Sequence, residues 1–108
     1  MIRMAVEISA KALQKLSNYI DDQVVSADYT IGSITRPIGM RRSIVSGSVV
    51  KKHVYLTTKD PTGFVTRVRL YDKDGDVFAT LTDRVEHKER RGRLFEFIFD
   101  VSIGEGTK

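Results

Sequence analysis

The chain has 108 residues, 41% hydrophobic and 30% charged, with 18 basic against 14 acidic residues and a formal net charge of +4. A length of this order supports one domain around one shared core, and the composition excludes intrinsic disorder. The absence of cysteine excludes disulfides and thiolate metal sites, and two histidines, His53 and His87, are too few for a histidine metal cage.

No apolar run approaches the ~18 residues of a membrane span, and MIRMAVEISAK lacks the apolar core of a signal peptide. Synthesis in the cytoplasm, with no membrane partner, is expected. The mild basic excess favours acidic partners without requiring them.

From Ser9 to about Gln23, SAKALQKLSNYIDDQ carries Leu13, Leu16 and Ile20 at helical spacing. Ser9 is placed to cap this helix, with Ile8 and Leu13 as a hydrophobic staple across the cap. The helix is the only one expected, so its apolar stripe must lie on a sheet.

The residues from about 28 to 103 read as β-rich. Asp28 to Thr35 alternates at Tyr29 and Ile31 and breaks parity at Gly32, which suggests a bulge or bend. Arg36-Pro37-Ile38-Gly39-Met40-Arg41-Arg42 reads as a loop, since Pro37 and Gly39 disfavour pairing, and it forms the first basic cluster. Ser43 to Thr58 holds one long or two short strands. Val50, Val54 and Leu56 share one face there and Val49, Lys51, His53 and Tyr55 the other, while Lys52 falls on the apolar side.

Asp60-Pro61-Thr62-Gly63 has the preferences of a type I turn. Gly63 to Thr82 then reads as a β-hairpin with Asp74-Gly75 at the centre of a two-residue turn. That turn pairs Leu70 with Ala79, Val68 with Leu81, Tyr71 with Phe78 and Arg69 with Thr80. Phe64, Val68, Leu70 and Leu81 point to the core, leaving Arg67, Arg69, Tyr71 and Phe78 as an outward basic and aromatic face. The charged run DRVEHKERRGR is surface. Leu94 to Ile103 is the strongest strand, with Phe95, Phe97, Phe99, Val101 and Ile103 on one side, and residues 104–108 form a tail.

Asp72, Asp74 and Asp76 invite a calcium-loop reading, but with Gly75 as the sixth loop position the first and twelfth ligands would be Leu70 and Leu81. These aspartates therefore read as turn formers. The serines sit in no nucleophile elbow, no glycine loop cradles a phosphate, and the isolated histidines read as surface residues. No enzymatic activity, cofactor or small-molecule substrate is expected. A basic sheet face of Arg36, Arg41, Arg42, Lys51, Arg67 and Arg69, with Tyr55, Tyr71 and Phe78 for stacking, supports single-stranded nucleic-acid binding as the alternative function.

The order of elements resembles the N-terminal attachment region of phage tail-fibre and tail-collar proteins and related small baseplate proteins. It rests on the helix Ser9–Ile20, the strand Tyr29–Ile34, the strand ending Leu70-Tyr71-Asp72, the turn Asp74-Gly75-Asp76 and the return Val77-Phe78-Ala79. The resemblance implies a non-catalytic virion component made in the host cytoplasm, which binds other virion proteins and further copies of itself. In fibre proteins a long shaft follows this region; the sequence ending at Lys108 therefore suggests a connector or baseplate subunit. Arg67, Arg69, Tyr71, Phe78, Arg41 and Arg42 are the expected partner contacts. The fold expected is α+β, one helix packed on an antiparallel sheet or flattened sandwich, in a single domain spanning residues 1–108.

Overall fold

The computed structural model describes residues 7–104; the first six residues and most of the expected tail, 105–108, lie outside the described residues. Helix α1 (Ala10–Gln23) leads into seven strands: β1 (Val24–Ile31), β2 (Ile34–Pro37), β3 (Gly39–Ser46), β4 (Val49–Leu56), β5 (Gly63–Asp72), β6 (Val77–His87) and β7 (Arg93–Asp100). They form two antiparallel sheets, sheet A in the order β2-β1-β5-β6 and sheet B in the order β3-β4-β7. The α+β class follows, with an elongated body of 57 × 27 × 25 Å.

Ser9 caps α1 as its sequence position implies, its hydroxyl accepting from Ala12 N at 3.1 Å. The stripe that the helix buries is rotated from the expected one. Ser17 is fully buried and Ile20 packs on the core, whereas Leu16 is 46% exposed. The helix packs against β1, β3 and β4, with Ser17 buried on the packed side.

The core lies between the sheets. Ala27, Tyr29 and Ile31 from β1 and Val65, Val68 and Leu70 from β5 meet Val54 and Leu56 from β4 and Phe95 and Phe97 from β7. The phenylalanine stripe of β7 is inward as its alternation requires. The strand ends at Asp100, and Val101–Gly104 form a 3-10 turn rather than its continuation.

Three local expectations are sharpened or overturned for identifiable reasons. Of the bulge or bend expected at Gly32, the chain makes the bend, as a two-residue hairpin turn with Ile31 opposite Ile34 and Gly32 at φ 59°. The segment 36–42 is not a loop: β2 runs to Pro37 and β3 starts at Gly39. Pro37 closes an edge strand, where its missing N–H costs no ladder bond, and Ile38 is buried, its N–H donating to Ala27 O at 3.1 Å. β-structure accordingly begins at Val24, earlier than expected.

The third concerns the β5–β6 hairpin. Its connection has three residues, Lys73 to Gly75, with Asp72 N donating to Asp76 O, Gly75 N donating to Asp72 O, and Gly75 at φ 83°. This places Tyr71 opposite Val77, so Phe78 is an extra residue before Leu70 pairs with Ala79. From there the pairings Arg69–Thr80 and Val68–Leu81 coincide with those expected. The bulge turns Phe78 inward onto the core, edge-to-face with Phe99 at 5.7 Å between ring centroids. A further irregularity, between Val65 and Arg67, reverses parity again: Val65 is buried and Phe64 is outward beneath the Arg84 guanidinium.

Candidate interface surfaces

The outward face of sheet A is built by register. Arg69 on β5 stands opposite Asp28 on β1, and Arg67 opposite Thr30. Arg69 grips the Asp28 carboxylate with two parallel bonds, Nε to Oδ1 and a terminal nitrogen to Oδ2, each 3.0 Å. The Tyr71 hydroxyl donates to the same Oδ2, and Arg67 donates to Thr30 Oγ1 at 3.2 Å. The bond to Asp28, then burial, raises the Tyr71 pKa above the usual phenol value.

Arg67, Arg69 and Tyr71 thus share one face, as expected. Phe78, assigned to that face from the two-residue turn, is inward because of its bulge. Asp28 was not singled out, although strand alternation signals it: with Ala27 and Tyr29 inward, Asp28 must be outward beside whatever β5 supplies. It converts the expected free basic face into a closed, hydrogen-bonded group.

Arg41 and Arg42 lie elsewhere, where α1 turns into β1. An open cleft of about 220 Å³ there is lined by Val24, Val25, Met40, Arg41, Arg42, Ser43 and Lys52. The Arg41 guanidinium stacks 4.5 Å over the Tyr55 ring. Tyr55 in turn closes over Gly92, where a Cβ would overlap the phenol oxygen. The irregularity between Met40 and Arg42 in the β3–β4 pairing explains the placement, because it gives two consecutive outward arginines.

Lys52 faces the core as its parity demands, only 4% exposed. Its ammonium donates to Asp21 O at 2.8 Å and Asp21 Oδ1 at 2.9 Å near the C-terminal end of α1, where a cation also complements the helix dipole. Ser43 donates to the same carboxylate oxygen. The Ser43 bond, reinforced by Lys52, holds the Asp21 carboxyl below its usual range. One residue on, Asp22 pairs with Lys73 at 2.7 Å in solvent.

The histidines differ from each other. His53, part-exposed on β4, meets Glu96 of β7 at 2.8 Å. His87, expected on the surface, is buried at the end of β6, with Nδ1 2.7 Å from Pro61 O and Nε2 2.7 Å from Arg91 O. Carbonyls only accept, so a neutral ring satisfies one contact and a doubly protonated ring both. His87 joins the loop before β5 to the turn after β6, a structural task. A cleft of about 110 Å³ beside it is lined by Glu86, Lys88, Arg91, Gly92 and Arg93.

Asp72, Asp74 and Asp76 bring carboxylate oxygens within 4.8 Å of one another. Asp72 Oδ1 accepts from the backbone N–H groups of Asp74 and Asp76 at 2.9 and 3.0 Å, which shapes the turn. Scans of protein-family models, curated proteins and solved structures return no match to this chain.

Proposed function

We propose that this chain is a non-catalytic connector in a phage tail or baseplate, joining other virion proteins and further copies of itself. The observation that carries the reading is that half of the eight exposed large apolar side chains among the described residues lie on edge strands. Ile34 on β2, Val77 on β6, and Leu94 and Ile98 on β7 are each about half exposed, and these strands are sheet edges. Stand-alone proteins protect edges with charge, bulges or covering segments, because an open apolar edge invites another chain.

The surface chemistry supports the same reading. The two clefts are small, about 110 and 220 Å³, and on sheet A the Arg69 guanidinium is already forked around a carboxylate. A single-strand binder needs cations free to meet the backbone and aromatics free to stack. Here Tyr71 is hydrogen-bonded to Asp28, and Phe78 is packed on Phe99.

Tail particles assembled with a tagged copy test the proposal. Stoichiometric incorporation, resisted by high salt, is the expected result; absence from particles overturns it. In parallel, single-stranded DNA at low salt should show no saturable binding. Tight binding that falls steeply with salt and is lost in Arg69→Ala would replace the connector with the nucleic-acid reading.

A further inference from the structure

The end of the molecule where α1 enters β1 carries two charge clusters of opposite sign side by side. One is the cleft flanked by Arg41 and Arg42, with Lys52 nearly buried in its wall. The other is the β5–β6 turn with Asp72, Asp74 and Asp76. Strand register makes them neighbours: Val24, in the cleft wall, pairs with Asp72, and Lys73 reaches Asp22 at the end of α1.

Neither cluster is neutralised by an ion pair, although Arg41 stacks on Tyr55 and Asp72 Oδ1 accepts from the backbone of its own turn. Among the described residues, no ion pair within 4.0 Å reaches Arg41, Arg42, Asp72, Asp74 or Asp76. Two of the three Lys52 N–H donors go to Asp21, and the ammonium still borders the cleft. Three carboxylates this close repel one another, so a cation set against them relieves more than a single charge. Val25 at the cleft and Val77 just after Asp76, each about half exposed, add apolar contact at the same place.

A patch with both signs adjacent is self-complementary about a two-fold axis, because rotation lays each acidic turn on the other copy's basic cleft. We propose that this end is a homodimer interface, with the Asp74-Gly75 turn of each copy seated in the Arg41/Arg42 cleft of the second. It rests on the assembly reading above and names the contact between copies. The contact is small and charged, so the dimer is transient and salt-sensitive, as interfaces below ~1,200 Å² are. A closed pair of contacts stops at two copies.

Sedimentation velocity at low salt and rising concentration tests it. The wild-type chain should show a monomer–dimer equilibrium weakened at least ~10-fold in high salt. Arg42→Glu and Asp74→Lys should each be monomeric, and mixing the two variants should restore a dimer, one reversed contact and one native contact holding it. A wild-type chain that stays monomeric, a dimer indifferent to both substitutions, or variants that remain monomeric when mixed would each overturn the proposal. Particle incorporation is read separately: a dimer absent from virions sinks the connector and spares the interface, and a monomer found in virions does the reverse.

Discussion

Two regions of this molecule present arginines to solvent, and they differ in what stands across the register. On sheet A, Arg69 faces Asp28 on the neighbouring strand, and Tyr71 completes the group. On β3, Arg41 stacks on Tyr55 and Arg42 stands opposite His53 of β4, and among the described residues no carboxylate lies within 4.0 Å of either guanidinium. The first arginine is spent inside the fold, whereas the second pair makes no ion pair among the described residues. Positive charge in a sequence therefore says little about availability until the residue opposite is known.

The sharpest way to break this contrast is Asp28→Ala. It strands a part-buried guanidinium and a phenol, and should cost about 2 kcal/mol of unfolding free energy. Urea denaturation measures it. The same variant releases Arg69, so single-stranded DNA affinity at low salt should rise and Asp28→Ala/Arg69→Ala should return it to baseline. An unchanged unfolding midpoint would mean that the sheet A group is not holding the fold.

A second contrast is built into adjacent helix residues. Lys52→Ala removes a buried partner of Asp21 and leaves space in the core wall, at about 2 kcal/mol after allowing for solvent at Asp21. Lys73→Ala removes the exposed partner of Asp22, and the loss should stay under about 0.5 kcal/mol. Lys52→Met, which keeps the volume, should recover most of the stability. Equal costs for Lys52→Ala and Lys73→Ala would erase the distinction between a charge inside the fold and one on it.

How much of this was legible follows from which signals are local. The helix with its Ser9 cap, the inward phenylalanines of β7 and the odd parity of Lys52 were readable, because each rests on spacing within one element. The class of fold followed from them. The Phe78 and Phe64 placements failed through one-residue offsets: alternation propagates a turn length or a bulge along the whole strand, and sequence shows neither directly. The Pro37–Gly39 segment failed because a proline at the end of an edge strand is tolerated. The site was least legible, since Asp28 and Arg69 are 41 residues apart, and Asp21, Ser43 and Lys52 come from three elements. Only topology brings such groups together.

Protonation distinguishes the two kinds of acid without mutation. Asp21 and Asp100 both titrate below the usual carboxylate range, the first through Ser43 and Lys52 and the second through Ser102 and Ser48. A depressed folded pKa contributes stability that is present above the unfolded value, about 3.9, and is lost as pH falls through the folded one. The unfolding midpoint should thus fall below about pH 4, and Asp21→Asn should flatten that fall. At the other extreme Tyr71, raised by its bond to Asp28, contributes stability below pH ~10 that disappears as pH rises further. Tyr71→Phe should shrink that alkaline arm, and the part that remains belongs to Tyr29, whose phenol is also raised, by burial.

The smallest expected effect sharpens the comparison most. Arg42 is exposed, carries no ion pair among the described residues, and borders an open cleft. If its charge belongs to a partner, the isolated fold should not register its loss, and Arg42→Ala should change unfolding free energy by less than about 0.5 kcal/mol. Arg69→Ala, measured alongside, should lower the unfolding midpoint clearly more than Arg42→Ala, because it leaves Asp28 with the Tyr71 hydroxyl alone. A residue silent in denaturation yet decisive in self-association is placed for contact, whereas one decisive in both is part of the scaffold. Were Arg42→Ala to destabilise the monomer as much as Arg69→Ala, both arginines would be structural and the cleft would have no charge left to offer.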